Sequence, residues 1–347
     1  MRARKVYRRV ICGCFMTYVI ESLAMPKTMK LLVTVSRPEF LPANSASLII
    51  GLSWGINSPL DLIWRIIIQA TLIFTIITLV ATVGAQANTM FDYELDSRDS
   101  RKKELVKAMS RLGRGRLESF MVVELLLSFA FFVILFLMQE KSALLFVWMA
   151  GVFLAYFYSA PPLRLKSRSW LAVVAMLIVL SILPITFVYH AFTSELDPFF
   201  LLFLSGQALT VYGVIVPAEI RDYFGDKAMG IETMTVRLGL VKASLFCILL
   251  LSMGGLLCGT GFLLKLAYGS YPALTVFLIA MAVAYYIVLR KYKKLYSLSK
   301  DYTSSDDKSS IAQDIEKLSA HNPQWITLIT QTIVFMSFVL LASKFLP

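Results

Sequence analysis

The chain has 347 residues, of which 58% are hydrophobic and 16% are charged, and its net charge is +12. A typical soluble domain carries about 25% charged residues, so the composition argues against a soluble protein and favours a polytopic membrane protein. The basic residues gather in alternate loops, which argues against a nucleic-acid partner and agrees with a membrane topology.

The predicted elements begin with a basic N-terminal arm, residues 1–32. Its stretch 10–25 is expected to lie on the membrane as an amphipathic helix, with an extra span as the alternative. Residues 33–347 are expected to form one transmembrane domain made of helices. A bilayer crossing requires roughly 20 apolar residues. Nine segments approach or exceed that length: 40–57, 61–87, 119–138, 142–159, 170–190, 199–218, 243–264, 271–289 and 325–343.

The positions of the basic residues predict the topology. Of the 34 Lys and Arg residues, 30 lie before the first span or in four long loops. These loops are 88–118, 160–169, 219–242 and 290–324. The other four basic residues fall on the opposite side: Arg65, Lys141, Lys265 and Lys344. Because basic loops favour the cytoplasm, we expect the N-terminus and the long loops there and the C-terminus outside. The last of these loops is low in apolar residues and is predicted to be a mobile linker.

A first acidic cluster follows the second predicted span. Asn88, Asp92 and Asp96 are spaced four residues apart, so on a helix their side chains point the same way. Two carboxylates one turn apart repel each other, and a divalent cation would remove that repulsion. Because carboxylate and amide oxygens are the ligands that magnesium prefers, the pattern predicts a Mg2+ site.

A second acidic cluster follows the sixth predicted span. Asp222 and Asp226 repeat the four-residue spacing, and Glu219 lies one turn earlier. Pro217 and Gly225 predict an interruption of the helix here, which is tolerated at membrane depth where the backbone lines a cavity. Solvated helix ends would also place acidic residues at an interface. Two clusters with matching spacing on the same side favour the functional interpretation.

Basic residues near both clusters are candidates for binding a diphosphate. Arg98 follows the first cluster, and Arg221 and Lys227 flank the second. Arg164 and Lys166 follow a pair of prolines, whose restricted backbone would aim them. Topology alone also places basic residues on this side.

Together these residues resemble the UbiA superfamily of intramembrane prenyltransferases. The family motif Asn-x-x-x-Asp-x-x-x-Asp matches residues 88–96, and Asp-x-x-x-Asp matches residues 222–226. The stretches 158–166 and 230–239 also resemble family sequence, and the likeness covers about residues 33–345. It implies an all-α bundle of about nine spans around a central cavity.

The resemblance implies a magnesium-dependent transferase. A prenyl diphosphate would bind through Mg2+, and its prenyl group would pass to a lipophilic acceptor such as a quinone precursor, an aromatic compound or a lipid. The implied metal ligands are Asn88, Asp92, Asp96, Asp222 and Asp226. Tyr158, Tyr223 and Glu219 are candidates for contacts with the substrate or with the allylic carbocation.

One stretch departs from the family pattern and leaves other functions open. Many members carry an Arg-Pro-rich stretch after the first motif, whereas residues 100–109 contain no proline. A cyclase that closes a prenyl diphosphate on itself is therefore the main alternative. An ion-coupled transporter is a further alternative, but its carboxylates would lie near the bilayer midplane, and these lie at the cytoplasmic ends of predicted spans.

Overall fold

A computed structural model describes residues 26–56, 63–98, 102–228, 230–269 and 271–344. These residues form helices and turns without a strand, which confirms the predicted all-α membrane class. The amphipathic helix expected at 10–25 lies outside the described residues.

The helices are numbered here in chain order. They are α1 Lys27–Val35, α2 Leu41–Gly55, α3 Ile63–Phe91, α4 Tyr93–Asp96, α5 Lys103–Leu112, α6 Arg114–Gln139, α7 Ser142–Phe157, α8 Trp170–Leu177, α9 Leu183–Phe192, α10 Pro198–Ala228, α11 Met234–Leu238, α12 Leu240–Tyr268, α13 Leu278–Ser304, α14 Lys308–Ser319 and α15 Asn322–Ser343. A π turn, Ile178–Ile182, joins α8 to α9, and a 3-10 turn, Pro272–Phe277, precedes α13.

Seven helical stretches in the described part of the chain are long and apolar enough to cross a membrane. They are Ile63–Phe91, Arg114–Gln139, Trp170–Phe192, Pro198–Ala228, Leu240–Tyr268, Pro272–Ser304 and Lys308–Ser343. Helices α2 and α7 have 15 and 16 residues, which is short for a hydrocarbon core of about 30 Å at a rise of about 1.5 Å per residue. Every predicted span thus coincides with a helix, and the predicted count of nine crossings is approximate.

The chain divides into two compact units. The described residues of the first unit fall within Met1–Ser45 and Ile68–Arg164, and those of the second within Ala46–Ile67 and Leu165–Pro347. The first acidic cluster therefore belongs to the first unit, and the second cluster belongs to the second unit.

Glycines let α10 and α12 approach closely in the second unit. A Cβ atom on Gly206 would lie 2.5 Å from the backbone nitrogen of Cys258. Among the glycines of these helices, Gly206 and Gly213 of α10 face α12, and Gly254 and Gly261 of α12 face α10, so each helix brings a pair spaced seven residues apart to the contact. Because lipid tails are as apolar as the helices, close packing of small residues is what favours helix association in a membrane.

Helix α10 continues through Pro217 and Gly225, so the predicted interruption was wrong. A proline has no N–H to bond the carbonyl four residues earlier, which here belongs to Gly213. The hydroxyl of Tyr292 on α13 donates a hydrogen bond of 3.2 Å to that carbonyl. A donor from another helix therefore replaces the missing bond, and the second acidic cluster stays on a continuous helix.

The stretch 290–324 is largely helical, so the predicted mobile linker was also wrong. Helix α13 extends into its first half, and α14 covers much of its second half. Leu295 and Ile315 are fully buried, and Leu298 and Ile311 pack against the same core. These apolar residues recur at helical spacing, which the low apolar content of the stretch does not reveal.

Polar side chains join three segments of the first unit. The side-chain amide of Gln86 on α3 donates hydrogen bonds to Ser36 Oγ at 2.9 Å and to Glu124 Oε1 of α6 at 3.0 Å. Thr89 Oγ1 donates to the carbonyl of Val35 at 3.4 Å. Hydrogen bonds between helices stabilise their association in lipid. These bonds hold the end of α1 against the last turns of α3, next to the first acidic cluster.

Candidate active site

The first acidic cluster lies where α3 ends and the short helix α4 begins. Asp92 has a turn conformation, with φ −100° and ψ 5°. Its N–H nevertheless bonds the Asn88 carbonyl at 3.0 Å, and the N–H of Asp96 bonds the Asp92 carbonyl at 2.7 Å. The one-turn spacing that the sequence predicted is therefore preserved. Asp92 and Asp96 are only 7% and 3% exposed, so two buried carboxylates stand one turn apart and require neutralisation.

Ser159 orients the Asn88 side chain. The Asn88 amide nitrogen donates a hydrogen bond of 3.1 Å to Ser159 Oγ, which leaves the amide oxygen as the atom that could coordinate a cation. An amide oxygen is a hard donor of the kind that magnesium prefers. Ser159 lies in the family-like stretch 158–166, but the sequence does not reveal its pairing with Asn88, which is 71 residues away.

Two basic side chains pair with the buried carboxylates. Lys102 Nζ donates to Asp96 Oδ1 at 2.5 Å, and Arg164 Nη2 lies 3.6 Å from Asp92 Oδ1. Asp96 Oδ2 is buried and has no hydrogen-bond partner among the described residues. Arg164 was predicted as a site residue and Lys102 was not, because topology makes every basic residue of this loop an equal candidate. Arg98, also predicted, is exposed.

Arg164 stands on the turn that follows α7. Its φ of 39° lies in the left-handed region, which residues with a side chain rarely adopt. The preceding Pro161–Pro162 bond is cis. Of the other residues predicted in this segment, Tyr158 is the partly buried C-terminal cap of α7. Lys166 lies in a short 3-10 turn at the start of the second unit.

The second acidic cluster occupies the last turns of α10. Asp222 and Asp226 lie one turn apart on this helix. Arg221 Nε and Nη2 lie 3.0 and 3.3 Å from the two carboxylate oxygens of Asp222, a two-pronged ion pair. Lys227 Nζ lies 5.6 Å from the centre of the buried Tyr223 ring, within the range of a cation–π contact. The predicted basic residues of this cluster therefore contact a carboxylate and a ring, respectively.

Glu219 is anchored by two hydroxyl groups within the second unit. Thr235 Oγ1 of α11 donates to Glu219 Oε2 at 2.8 Å, and the Tyr212 hydroxyl donates to Glu219 Oε1 at 3.3 Å. Thr233 caps α11 by accepting a hydrogen bond from the N–H of Val236 at 3.3 Å, which fixes the start of the helix that carries Thr235. The sequence places Thr235 in a family-like stretch but does not reveal this partner.

The side chains of the first cluster fit a hard divalent cation. Within the described residues of each unit, no group of three or more His, Cys, Asp or Glu side chains is gathered as a metal site. The first cluster nevertheless combines the unpartnered buried Oδ2 of Asp96 with the carboxylate of Asp92 and the amide oxygen of Asn88. All of these are oxygen donors, as Mg2+ requires.

Comparison with known proteins places these motifs in a family. The family model described as the UbiA prenyltransferase family matches residues 46–302, which is most of the chain. This chain belongs to the UbiA prenyltransferase family. The resemblance predicted from the two motifs is thereby confirmed, and so is the prediction of a multi-pass membrane enzyme of the prenyltransferase class.

Two curated proteins and one solved structure are similar to this chain. A lycopene elongase/hydratase from Haloarcula japonica is 28% identical over 218 residues, which cover 63% of this chain and 70% of that protein. A chloroplastic chlorophyll synthase from Oryza sativa subsp. japonica is 28% identical over 110 residues, which cover 32% of this chain and 29% of that protein. The solved structure of a UbiA homolog from Archaeoglobus fulgidus bound to GPP and Mg2+ has a TM-score of 0.55 at 16% identity, covering 86% of this chain and 99% of that chain. At this identity the structural likeness shows the fold.

Helix α5 occupies the stretch in which this chain departs from many UbiA members. Its residues Ala108, Met109 and Leu112 are buried, so the part of the proline-free stretch within Lys103–Leu112 is a packed helix. Lys102, the residue immediately before it, reaches Asp96. The segment that differs from many UbiA members therefore still provides a basic partner for the first acidic cluster.

Proposed function

We propose that this chain transfers a prenyl group from a prenyl diphosphate to a lipophilic acceptor, with Mg2+ as cofactor and diphosphate as the second product. The observation that carries the proposal is the pair of buried carboxylates, Asp92 and Asp96, each beside a cationic side chain in a UbiA family member. Ionisable groups buried in a membrane protein are costly to fold, and for that reason they mark functional sites.

The relatives support the proposed substrates. The Archaeoglobus fulgidus UbiA homolog was solved with GPP and Mg2+ bound, a combination of the ligand class and the ion proposed here. Lycopene elongase/hydratase and chlorophyll synthase are both named for large lipophilic molecules. These names support an acceptor that enters from the membrane, within the class of quinone precursors, aromatic compounds and lipids.

In the proposed reaction, the C–O bond between the prenyl group and the diphosphate breaks, and its electron pair leaves with the diphosphate. When bound, Mg2+ supplies positive charge that stabilises this leaving group. The proposed ligands are Asn88, Asp92 and Asp96 in the first unit and Asp222 and Asp226 in the second. An electron pair of the acceptor then forms the new bond to the allylic carbon, and the acceptor releases a proton.

The basic side chains have two roles in this proposal. In the structure, Lys102 and Arg164 neutralise Asp96 and Asp92. A cation on those carboxylates would take over the neutralisation, so that the N–H groups of both residues could donate to diphosphate oxygens. Other basic residues proposed to bind the diphosphate are Arg98, Lys166, Arg221 and Lys227. The faces of Tyr158 and Tyr223 are proposed to stabilise the allylic carbocation, with Glu219 contacting the substrate.

The test measures diphosphate release by the full chain in lipid nanodiscs. With labelled prenyl diphosphates of several lengths and a membrane lipid extract, we expect release that requires Mg2+. Asp92→Asn and Asp222→Asn should each lower the rate by about 100-fold or more, because each removes a carboxylate proposed to hold the Mg2+ that stabilises the leaving diphosphate. Asp306→Asn changes an exposed carboxylate and should keep the wild-type rate. Normal release by either motif variant would show that the site assignment is wrong.

The labelled product distinguishes the candidate functions. Label recovered in a lipid of the extract supports the transferase. A cyclic hydrocarbon formed without any extract would replace the transferase with the cyclase. Unreacted prenyl diphosphate, together with ion-driven uptake in vesicles that is lost in Asp92→Asn, would instead indicate a transporter.

We also propose that the N-terminus and the long basic loops face the cytoplasm and that the C-terminus lies on the other side. The distribution of 30 of the 34 basic residues supports this orientation. Protease-accessible tags at the two ends should be cleaved from opposite sides of sealed vesicles, and cleavage from one side only would contradict it.

A further inference from the structure

The apolar part of the α13 segment is as long as a bilayer core. No charged side chain occurs in residues 272–289, and Arg290 is the first to follow. The 3-10 turn Pro272–Phe277 rises about 2.0 Å per residue, and the α-helix after it rises about 1.5 Å per residue. The uncharged stretch therefore spans about 30 Å, which is the thickness of the hydrocarbon core. Arg290 is thus expected at the level of the lipid headgroups.

Five exposed basic side chains lie on the part of α13 that continues beyond this stretch, and together they are called the basic strip. They are Arg290, Lys291, Lys293, Lys294 and Lys300. Helix α13 carries no carboxylate before Asp301. None of the five forms an ion pair within the described part of the chain. By contrast, Arg114, Arg164 and Arg221 each lie beside a carboxylate, so the basic strip carries charge that those residues do not.

The basic strip continues the exposed apolar side of α13. The buried side of the helix includes Met281, Ala284, Val288, Tyr292 and Leu295. On the other side, Val283 and Ile287 are 50% and 43% exposed. Arg290 lies two turns after Val283 and so projects on the same side of the helix. Lys294 has the same relation to Ile287, so a lipid whose chains contact the two apolar residues would present its headgroup to the two basic ones.

Packing holds the basic strip in this orientation. Tyr292 and Leu295 are fully buried, and Ser299 Oγ shares a hydrogen bond of 2.8 Å with Ser244 Oγ of α12. Rotation of α13 would break these contacts and would bury lysines at a high cost. The Arg290 guanidinium lies 5.9 Å from the centre of the Tyr286 ring one turn earlier, a cation–π contact that leaves its charge in place.

We propose that the basic strip binds the headgroup of an anionic phospholipid, with the acyl chains lying along Val283 and Ile287. Clusters of Lys and Arg just outside a transmembrane helix attract anionic lipids, and each basic residue near the surface strengthens the attraction by about fivefold. A nucleic acid would match the charge of the strip but not the apolar surface that continues it. None of the residues belongs to the proposed prenyl-transfer site, so the strip adds a lipid ligand that the proposed reaction does not require.

The test measures equilibrium binding of a fluorescent short-chain phosphatidylglycerol to the full chain in an uncharged detergent. Phosphatidylcholine with the same chains is the reference lipid, and the wild type should prefer phosphatidylglycerol. The double variant Arg290→Gln/Lys294→Gln should weaken phosphatidylglycerol binding by about 25-fold, which is about fivefold for each charge removed. Lys308→Gln/Lys317→Gln is the matched control, because it removes the same charge from exposed positions of α14, and it should bind like the wild type.

A second variant guards against misfolding of the first. Ser297 is exposed and lies about one turn after Lys294 on the same side of α13. Ser297→Lys should therefore strengthen phosphatidylglycerol binding by about fivefold. A damaged fold would not bind more tightly, so the absence of this gain would overturn the proposal even if the double variant in the strip melts below the wild type.

Three other outcomes would overturn the proposal. Equal losses in the two double variants would indicate attraction to the net charge of the chain. Equal affinity of the wild type for the two lipids would show that the headgroup charge is not recognised. A short single-stranded RNA that binds more tightly than phosphatidylglycerol, with the same variant pattern, would assign the strip to a nucleic acid. Since the measurement uses no prenyl diphosphate, its failure would leave the proposed transferase function untouched.

Discussion

Replacing Gly206 by alanine should destabilise the second unit by forcing α10 and α12 apart. The new Cβ would lie 2.5 Å from the backbone nitrogen of Cys258 and 2.7 Å from the carbonyl oxygen of Gly254, where ordinary contact begins at 3.4 Å. Both neighbours are backbone atoms, so no side-chain rotation relieves the overlap. Overpacking of a tight contact costs about 3 kcal/mol, and alanine recovers about 0.5–1 kcal/mol of helix propensity over glycine. The expected net loss of stability is about 2 kcal/mol.

The assay is the melting temperature of the detergent-solubilised chain across a graded series. A Cβ on Gly213 would have its nearest neighbour at 3.1 Å, and one on Gly151 of α7 at 3.9 Å. We therefore expect Gly206→Ala to melt lowest, Gly213→Ala to lie between, and Gly151→Ala to melt at or above the wild type. Gly206→Ala melting as high as Gly151→Ala would refute the inference that close backbone contact holds α10 against α12.

Two further predictions concern polar groups of the second unit. Burial lowers the pKa of Lys344 from 10.5 to about 8, and the charge of Lys265 contributes to the shift. Because the unfolded chain keeps this proton to a higher pH than the folded chain, the free energy of unfolding should rise between about pH 8 and pH 10.5. Lys344→Met should therefore stabilise the chain at neutral pH by about 2 kcal/mol, which allows for about 1 kcal/mol lost with the hydrogen bond from Lys344 to the Ile56 carbonyl. Melting curves should show this gain shrink towards about pH 10. A gain that stays constant with pH would contradict the lowered pKa of Lys344. Thr235→Val removes a hydroxyl donor from Glu219 and should cost about 1–3 kcal/mol. Glu219→Gln in the same chain should restore part of that loss, whereas strictly additive effects in a double-mutant cycle would show that the two residues do not interact.

The sequence predicts the helices of this chain well because the bilayer leaves few alternatives. Apolar length determines where a helix can cross, since every backbone polar group in lipid must be bonded internally. The errors at Pro217 and at 290–324 share a physical cause, which is a partner distant in sequence. Tyr292, which replaces the bond missing at Pro217, lies 79 residues after the Gly213 carbonyl that it bonds.

In the candidate site, too, residues close in sequence could be predicted, whereas partners that only the fold brings together could not. Asn88, Asp92 and Asp96 could be identified from their sequence because a helix brings residues four apart onto one face. Their partners could not be identified in this way. Lys102 stands among several equivalent basic residues, and only the folding of α5 selects it as the partner of Asp96.

Arg164 combines a strained backbone conformation with a stabilising side-chain contact. Its φ of 39° is a strained conformation for a residue with a side chain, at a cost of about 1 kcal/mol, whereas glycine adopts it without strain. Arg164→Gly would relieve that strain, but it would also remove the guanidinium that lies 3.6 Å from the buried Asp92 carboxylate. Leaving a buried polar group without its partner costs about 1–3 kcal/mol, which is at least as much as the strain that glycine would relieve. Engineering of this chain for heat resistance should therefore hold position 164 fixed, although its backbone conformation alone would suggest glycine there.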